Sequence, residues 1–131
     1  MKPTVYISHR KEIPETPVQY TEKSVSVVTE MVKEAVLGIC DFASQVKDKS
    51  VFIKPNLVRP NPHEIPGITT DPRVLIALVR ICKQAGASKI MIGENPGYKL
   101  SSETAFDLAE IQEILEKEGA QRIYLDKDEM V

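Results

Sequence analysis

The chain predicts an α/β fold, a three-layer α/β/α sandwich with a mostly parallel, Rossmann-like sheet of about four strands, built as a single domain over residues 1–131. Short β-branched or aliphatic runs alternate with longer helical stripes of apolar residues. One short run, at 51–53, is continuous and apolar, as expected of a strand covered on both faces, and 89–93 reads as a further core strand. At 131 residues and 42% hydrophobic, the chain is long enough for one buried core.

The elements follow in order. Thr4-Val5-Tyr6-Ile7-Ser8 is β-branched and aromatic and reads as a first strand, with Ile13-Pro14 and Thr16-Pro17 marking the loop after it. From about 24 to 46, Val25, Val28, Val32, Ala35, Val36, Ile39, Ala43 and Val46 recur at spacings of three and four, one stripe of a helix with Gly38 as its weak point. Val51-Phe52-Ile53 is the second strand. Pro55, Pro60, Pro62 and Pro66-Gly67 then mark a long loop, of the kind that binds ligands or stays disordered. Asp71 as N-cap and Pro72 at the first helical position open a helix from 73 to about 85, which Gly86 ends. Its apolar arc is wide: Val74, Leu75, Leu78, Val79, Ile81 and Cys82 leave Arg73, Arg80, Lys83 and Gln84 as the solvated strip. A third strand at 89–93 turns out through Glu94-Asn95-Pro96-Gly97. Ser101 or Ser102 caps a helix through Leu108, Ile111, Ile114 and Leu115 to Gly119. A fourth strand at 122–126 precedes a charged end at 126–129. The β-α-β-α-β-α-β order implies right-handed parallel crossovers.

Bulk composition removes several function classes. Seventeen Lys and Arg against nineteen Asp and Glu give a net charge of −2, without the basic excess that draws a protein to nucleic acid or anionic lipid. The first fifteen residues interleave Lys2, His9, Arg10, Lys11 and Glu12 with short apolar runs, so they lack a signal-peptide core, and no run approaches the ~18 apolar residues of a membrane span. The chain reads as cytoplasmic. Its two cysteines, Cys40 and Cys82, lie in helical patterns far apart, whereas a cluster needs about four thiolates and a structural zinc about four Cys or His ligands. No iron–sulfur cluster can be held by this chain alone, and no metal-ligand motif is present: His9 and His63-Glu64 are too scattered. The glycine-rich phosphate fingerprints and the G-x-S-x-G nucleophile elbow are missing as well.

In a parallel sheet the carboxyl edge would gather His9 and Arg10 from the first strand, Lys54 and Asn56 from the second, Glu94 and Asn95 from the third and Asp126 from the fourth. Polar groups are costly in a core and cheap at a rim where a ligand or water satisfies them, so the repetition fits an anion- or metal-binding crevice; strand exits are also polar in general. Lys54 is followed by a rigid proline and could hold a phosphate or carboxylate, or stand as a surface lysine. Asn56 could serve beside it or close an Asx turn. Thr69, Thr70 and Asp71 could offer hydroxyls and backbone N–H groups at a helix start, although capping alone accounts for Asp71. Glu94 is a weak candidate for a general base, with Asn95 beside it as a ligand contact, against the alternative of a solvated loop acid.

The run Val51-Phe52-Ile53-Lys54-Pro55-Asn56-Leu57-Val58, then Gly67-Ile68-Thr69-Thr70-Asp71-Pro72, Ala85-Gly86-Ala87-Ser88-Lys89-Ile90 and Ile92-Gly93-Glu94-Asn95-Pro96-Gly97 resembles the amino-terminal part of the domain of unknown function family numbered 362. The I-K-P-N and T-T-D-P blocks in that order carry most of the resemblance, which spans most of residues 4–126. The resemblance implies an uncharacterised protein of a family often described as iron–sulfur or ferredoxin-linked. It also implies that later lysine- and histidine-bearing and cysteine-rich motifs would lie beyond Val131, making this an amino-terminal half or a shortened relative.

Two functions follow as expectations. In the first, the domain forms one wall of a crevice for an anionic small molecule or a metal, in a redox-associated protein, the second wall coming from a partner chain or a carboxyl-terminal domain. In the second, the chain is an assembly subunit that docks a redox partner or another copy of itself through its second helix and sheet edge. The identity of any cofactor is open.

Overall fold

The computed structural model describes residues 5–11, 21–57, 69–96, 100–108 and 111–127. Expectations for Thr4, for Ile13 to Pro17, for Val58, Pro60, Pro62, His63, Glu64, Pro66, Gly67 and Ile68, for Gly97, for the side chains of Leu108 and Ile114 and for 128–129 lie outside the described residues.

Helix α1 (Glu22–Leu37) starts at Thr21, whose hydroxyl accepts the Ser24 N–H at 3.2 Å. It stops at Gly38, and the N–H groups of Ile39 and Cys40 both turn back to the Val36 carbonyl at 3.1 Å. Asp41 then caps a separate short helix, α2 (Phe42–Val46), by accepting the Ser44 N–H at 3.3 Å. The single stripe expected from 24 to 46 is therefore two helices. The acidic cap outcompetes the apolar spacing, and Ile39, placed in the stripe, is 59% exposed between them.

Strand β1 (Ser50–Ile53) leads through residues 54–57 and 69–71 to α3 (Pro72–Gln84), which Asp71 caps with Pro72 in the first turn. After Gly86, at φ +83°, comes β2 (Lys89–Glu94). Helices α4 (Ser102–Leu108) and α5 (Gln112–Glu118) divide what the sequence presents as one helix, and α5 ends at Gly119 in the left-handed region, φ +94°. Strand β3 (Gln121–Tyr124) then passes into a 3-10 turn, Leu125–Lys127. The fourth predicted strand is thus shorter than 122–126, and Asp126 sits in the turn that follows it.

The sheet among the described residues has three parallel strands in the order β1-β2-β3, with Val51 opposite Ile90, Ile53 opposite Ile92, and Glu94 opposite Tyr124. Parallel pairing puts facing partners on one side, so Val51, Ile53, Ile90, Ile92 and Tyr124 share a face. That face meets the helices. Ile90 and Ile92 join Leu75, Ile76, Val79 and Cys82 of α3, Phe106 of α4, Leu115 of α5, Val25 and Val46 in one core, and Val51, Ile53 and Tyr124 pack against it. Truncating a residue such as Leu75 or Leu115 to alanine costs about 2–5 kcal/mol in such a setting. Phe52, Met91, Gly93 and Ile123 occupy the opposite face, outside that core, and Phe52 is 44% exposed. Among the described residues the fold is a parallel sheet with its core on one side, short of the predicted three layers.

The predicted first strand is not part of this sheet. Residues 5–10 carry no strand pairing among the described residues and lie against α1. The Tyr6 ring covers Gly38, where a Cβ would fall 2.5 Å from a ring carbon. Ser8 donates to Glu34 at 3.2 Å, and Arg10 pairs with the same carboxylate. The β-branched and aromatic composition suggested a strand, but Tyr6, Ser8 and Arg10 face a helix, leaving Val5 and Ile7 more than 80% exposed.

Candidate functional site: the strand exits

Parallel pairing brings the carboxyl ends of β1, β2 and β3 to one rim. Lys54, the residue after β1, reaches Glu94 at the end of β2, with Nζ 2.7 Å from Oε1 and 2.9 Å from Oε2. The pair is lopsided. The Glu94 side chain is 4% exposed and that of Lys54 60%. Glu94 Oε1 also accepts the Asn95 N–H at 2.8 Å, so both carboxylate oxygens are engaged. A carboxylate held this way orients the ammonium, and the lysine presents the exposed charge. The reach of Lys54 across the strand ends thus pairs its ammonium with Glu94, the candidate general base of the sequence.

Asn56 and Thr70 meet through two hydrogen bonds. The Asn56 N–H donates to Thr70 Oγ1, and the Thr70 N–H donates to the Asn56 carbonyl, each at 2.9 Å. The exit of β1 is thereby fastened to the start of α3. Thr69 carries a buried hydroxyl oxygen with no hydrogen-bond partner among the described residues. A buried hydroxyl left this way costs free energy unless something satisfies it.

Asp71 is committed elsewhere. Its carboxylate accepts the Arg73 N–H at 2.8 Å, Arg73 Nε at 3.0 and 3.1 Å, and Arg73 Nη2 at 2.6 Å. Arg73, assigned by its position to a solvated strip, is buried at 5% exposure against its own helix cap. Helical periodicity misplaces it because a first-turn side chain can fold back onto the cap.

A further link was not foreseen. Ser101 is the cap of α4, accepting the Thr104 N–H at 3.1 Å, while Ser102 is fully buried and donates to the Glu94 carbonyl at 2.5 Å. The Asp126 carboxyl lies near Ser102, which first of all holds it below its usual range. Ser102 thus ties the start of α4 to the end of β2, while Lys54 enters from β1. The sequence signal was the Ser101-Ser102 pair, of which only one residue can cap. His9 and Arg10 do not join these groups, since Arg10 is bound to Glu34 of α1 and donates to the His9 carbonyl at 3.1 Å. Asn95 is exposed beside Glu94.

No group of three or more His, Cys, Asp or Glu gathers among the described residues in a way that could hold a metal ion. Among them, too, no helix is long and apolar enough to cross a membrane. Much of the wide apolar arc of α3 packs inside the chain, with Leu75 at 1% and Val79 at 0% exposure.

No curated protein and no solved structure matches the chain. A family model described as "Domain of unknown function (DUF362)" matches residues 51–131, more than half of the chain and inclusive of every group from Lys54 to Asp126 described above. The chain belongs to that family.

Proposed function

We propose that the strand exits and the start of α3 form one wall of a crevice that binds a small anion, with Lys54 as the attracting charge and the Thr69 hydroxyl as a second contact. The single observation that supports this most is the asymmetry of the Lys54–Glu94 pair: a buried carboxylate fixes an ammonium that stays 60% exposed. Such a lysine has spare N–H donors and restricted freedom, so less entropy is lost when an anion adds to it. Asn56 and Thr70 support the geometry by holding the two segments together. Glu94 and Asp71, whose oxygens are occupied by Lys54 and Arg73, serve as positioning groups, which favours an anion over a metal ion as the ligand.

Calorimetric titration of phosphate, sulfate and oxalate into the wild-type chain and into the Lys54→Ala and Thr69→Val variants is the test. Saturable binding of at least one anion is expected, weakened about tenfold or more by Lys54→Ala and less by Thr69→Val. Binding that is equal in wild type and Lys54→Ala, or absent from both, rejects the site.

A further inference from the structure

At the opposite end of the sheet from the strand exits, the last turn of α1, the short α2 and the last turn of α3 enclose an open pocket of about 170 Å³. Its walls are apolar: Val36, Phe42, Ala43, Ile81 and Ala85, with Leu37 at the edge. Two polar side chains, Lys33 and Gln84, also line it. The volume is close to that of the ~150 Å³ apolar cavity known to take a benzene ring.

The local charge selects among apolar occupants. Two helix C-termini meet here, and their carbonyls would ordinarily favour a cation. They are largely satisfied already: the Glu34 carbonyl by Gly38, that of Val36 by Gly38, Ile39 and Cys40, that of Ile81 by Ala85 and that of Lys83 by Gly86. Among the charged groups nearby, Glu34 is engaged by Ser8 and Arg10. Lys33 has only a loose ion pair among the described residues, with Glu30 at 4.0 Å, and its side chain is 46% exposed. Asp41, which starts α2, is engaged by the Ser44 N–H, so the charged side chain lining the apolar walls is that of Lys33.

We infer that this pocket binds a small amphipathic carboxylate, its ring or short alkyl body against Phe42, Ala43, Ile81 and Ala85 and its carboxylate against Lys33. The site is separate from the strand exits, so either can fail without the other. Benzoate and benzyl alcohol, equal in ring size and different in charge, are the probes. In amide NMR titrations of the full chain, benzoate is expected to shift Leu37, Ala43 and Ala85 saturably and to bind more tightly than benzyl alcohol. Lys33→Gln, a surface change, should weaken benzoate about two- to fivefold and leave benzyl alcohol unchanged, the size expected of one exposed ion pair. Ala43→Phe should fill the space and abolish both, its fold checked by unshifted amides around Leu115 and Ile92. Absence of saturable shifts at these residues, a Lys33→Gln variant that binds both probes as wild type does, or full binding to a folded Ala43→Phe overturns the inference.

Discussion

A lysine and a glutamate forty residues apart in sequence close the rim of this sheet, and their unequal burial decides how each tolerates change. Removing Lys54 leaves a buried carboxylate with the Asn95 N–H as its remaining partner among the described residues, and Lys54→Ala should cost about 1–3 kcal/mol. Glu94→Gln keeps an oxygen for that N–H and leaves an exposed lysine to water, so it should cost less. Urea denaturation of the two variants gives the order directly, and a larger loss for Glu94→Gln would mean that the ammonium contributes little to holding the rim. At this scale the sequence was informative about which residues would be polar and close, because strand ends are fixed by apolar runs such as Val51-Phe52-Ile53. It was silent on which partner each would take. Asp71 could be read as a cap from its place before Pro72, but its capture of Arg73 depends on a side-chain conformation that no spacing encodes.

Among the elements, β1, α3 and β2 stand within a residue of their expected bounds, each carrying a strong local signal: an unbroken apolar run, or Asp-Pro at the start and glycine after the end. The departures occur where two local signals compete. Asp41 starts α2 inside an apolar stripe, and Tyr6 finds Gly38 on a helix in place of a strand neighbour. On the outer face of the sheet, a Cβ added at Gly93 would lie 2.8 Å from a ring carbon of Phe52 and 3.0 Å from the Ile123 carbonyl oxygen. The ring is 44% exposed and can swing away, whereas the carbonyl belongs to β3 and cannot. Gly93→Ala is therefore expected to destabilise by about 1–3 kcal/mol, and adding Phe52→Ala should restore only part of the loss. Full restoration in thermal or urea unfolding would show that the ring, and not the neighbouring strand, sets the limit.

Across the whole molecule, Arg80 connects three helices. From α3 it binds Glu22 of α1 at 2.6 and 3.0 Å and Glu118 of α5 at 2.7 and 3.1 Å. Position alone made it a solvated residue, because helical periodicity locates a side chain on a face without showing what approaches that face. The Arg80 hydrogen bond is the main reason that the Glu22 carboxyl is lowered from its ordinary value of 4.5. A carboxyl depressed on folding adds stability above its unfolded value, and that contribution is lost as pH falls through the folded one. Arg80→Leu should lower the melting temperature at neutral pH by about 4 °C, and the gap to wild type should narrow below pH ~4.5 and in high salt. A gap constant from pH 7 to pH 3 would assign the effect to packing. The two hydrogen bonds between Asn56 and Thr70 bear on how the chain can vary across relatives. They fasten the exit of β1 directly to the start of α3, so a relative that keeps these two contacts keeps the lysine and the helix start in place.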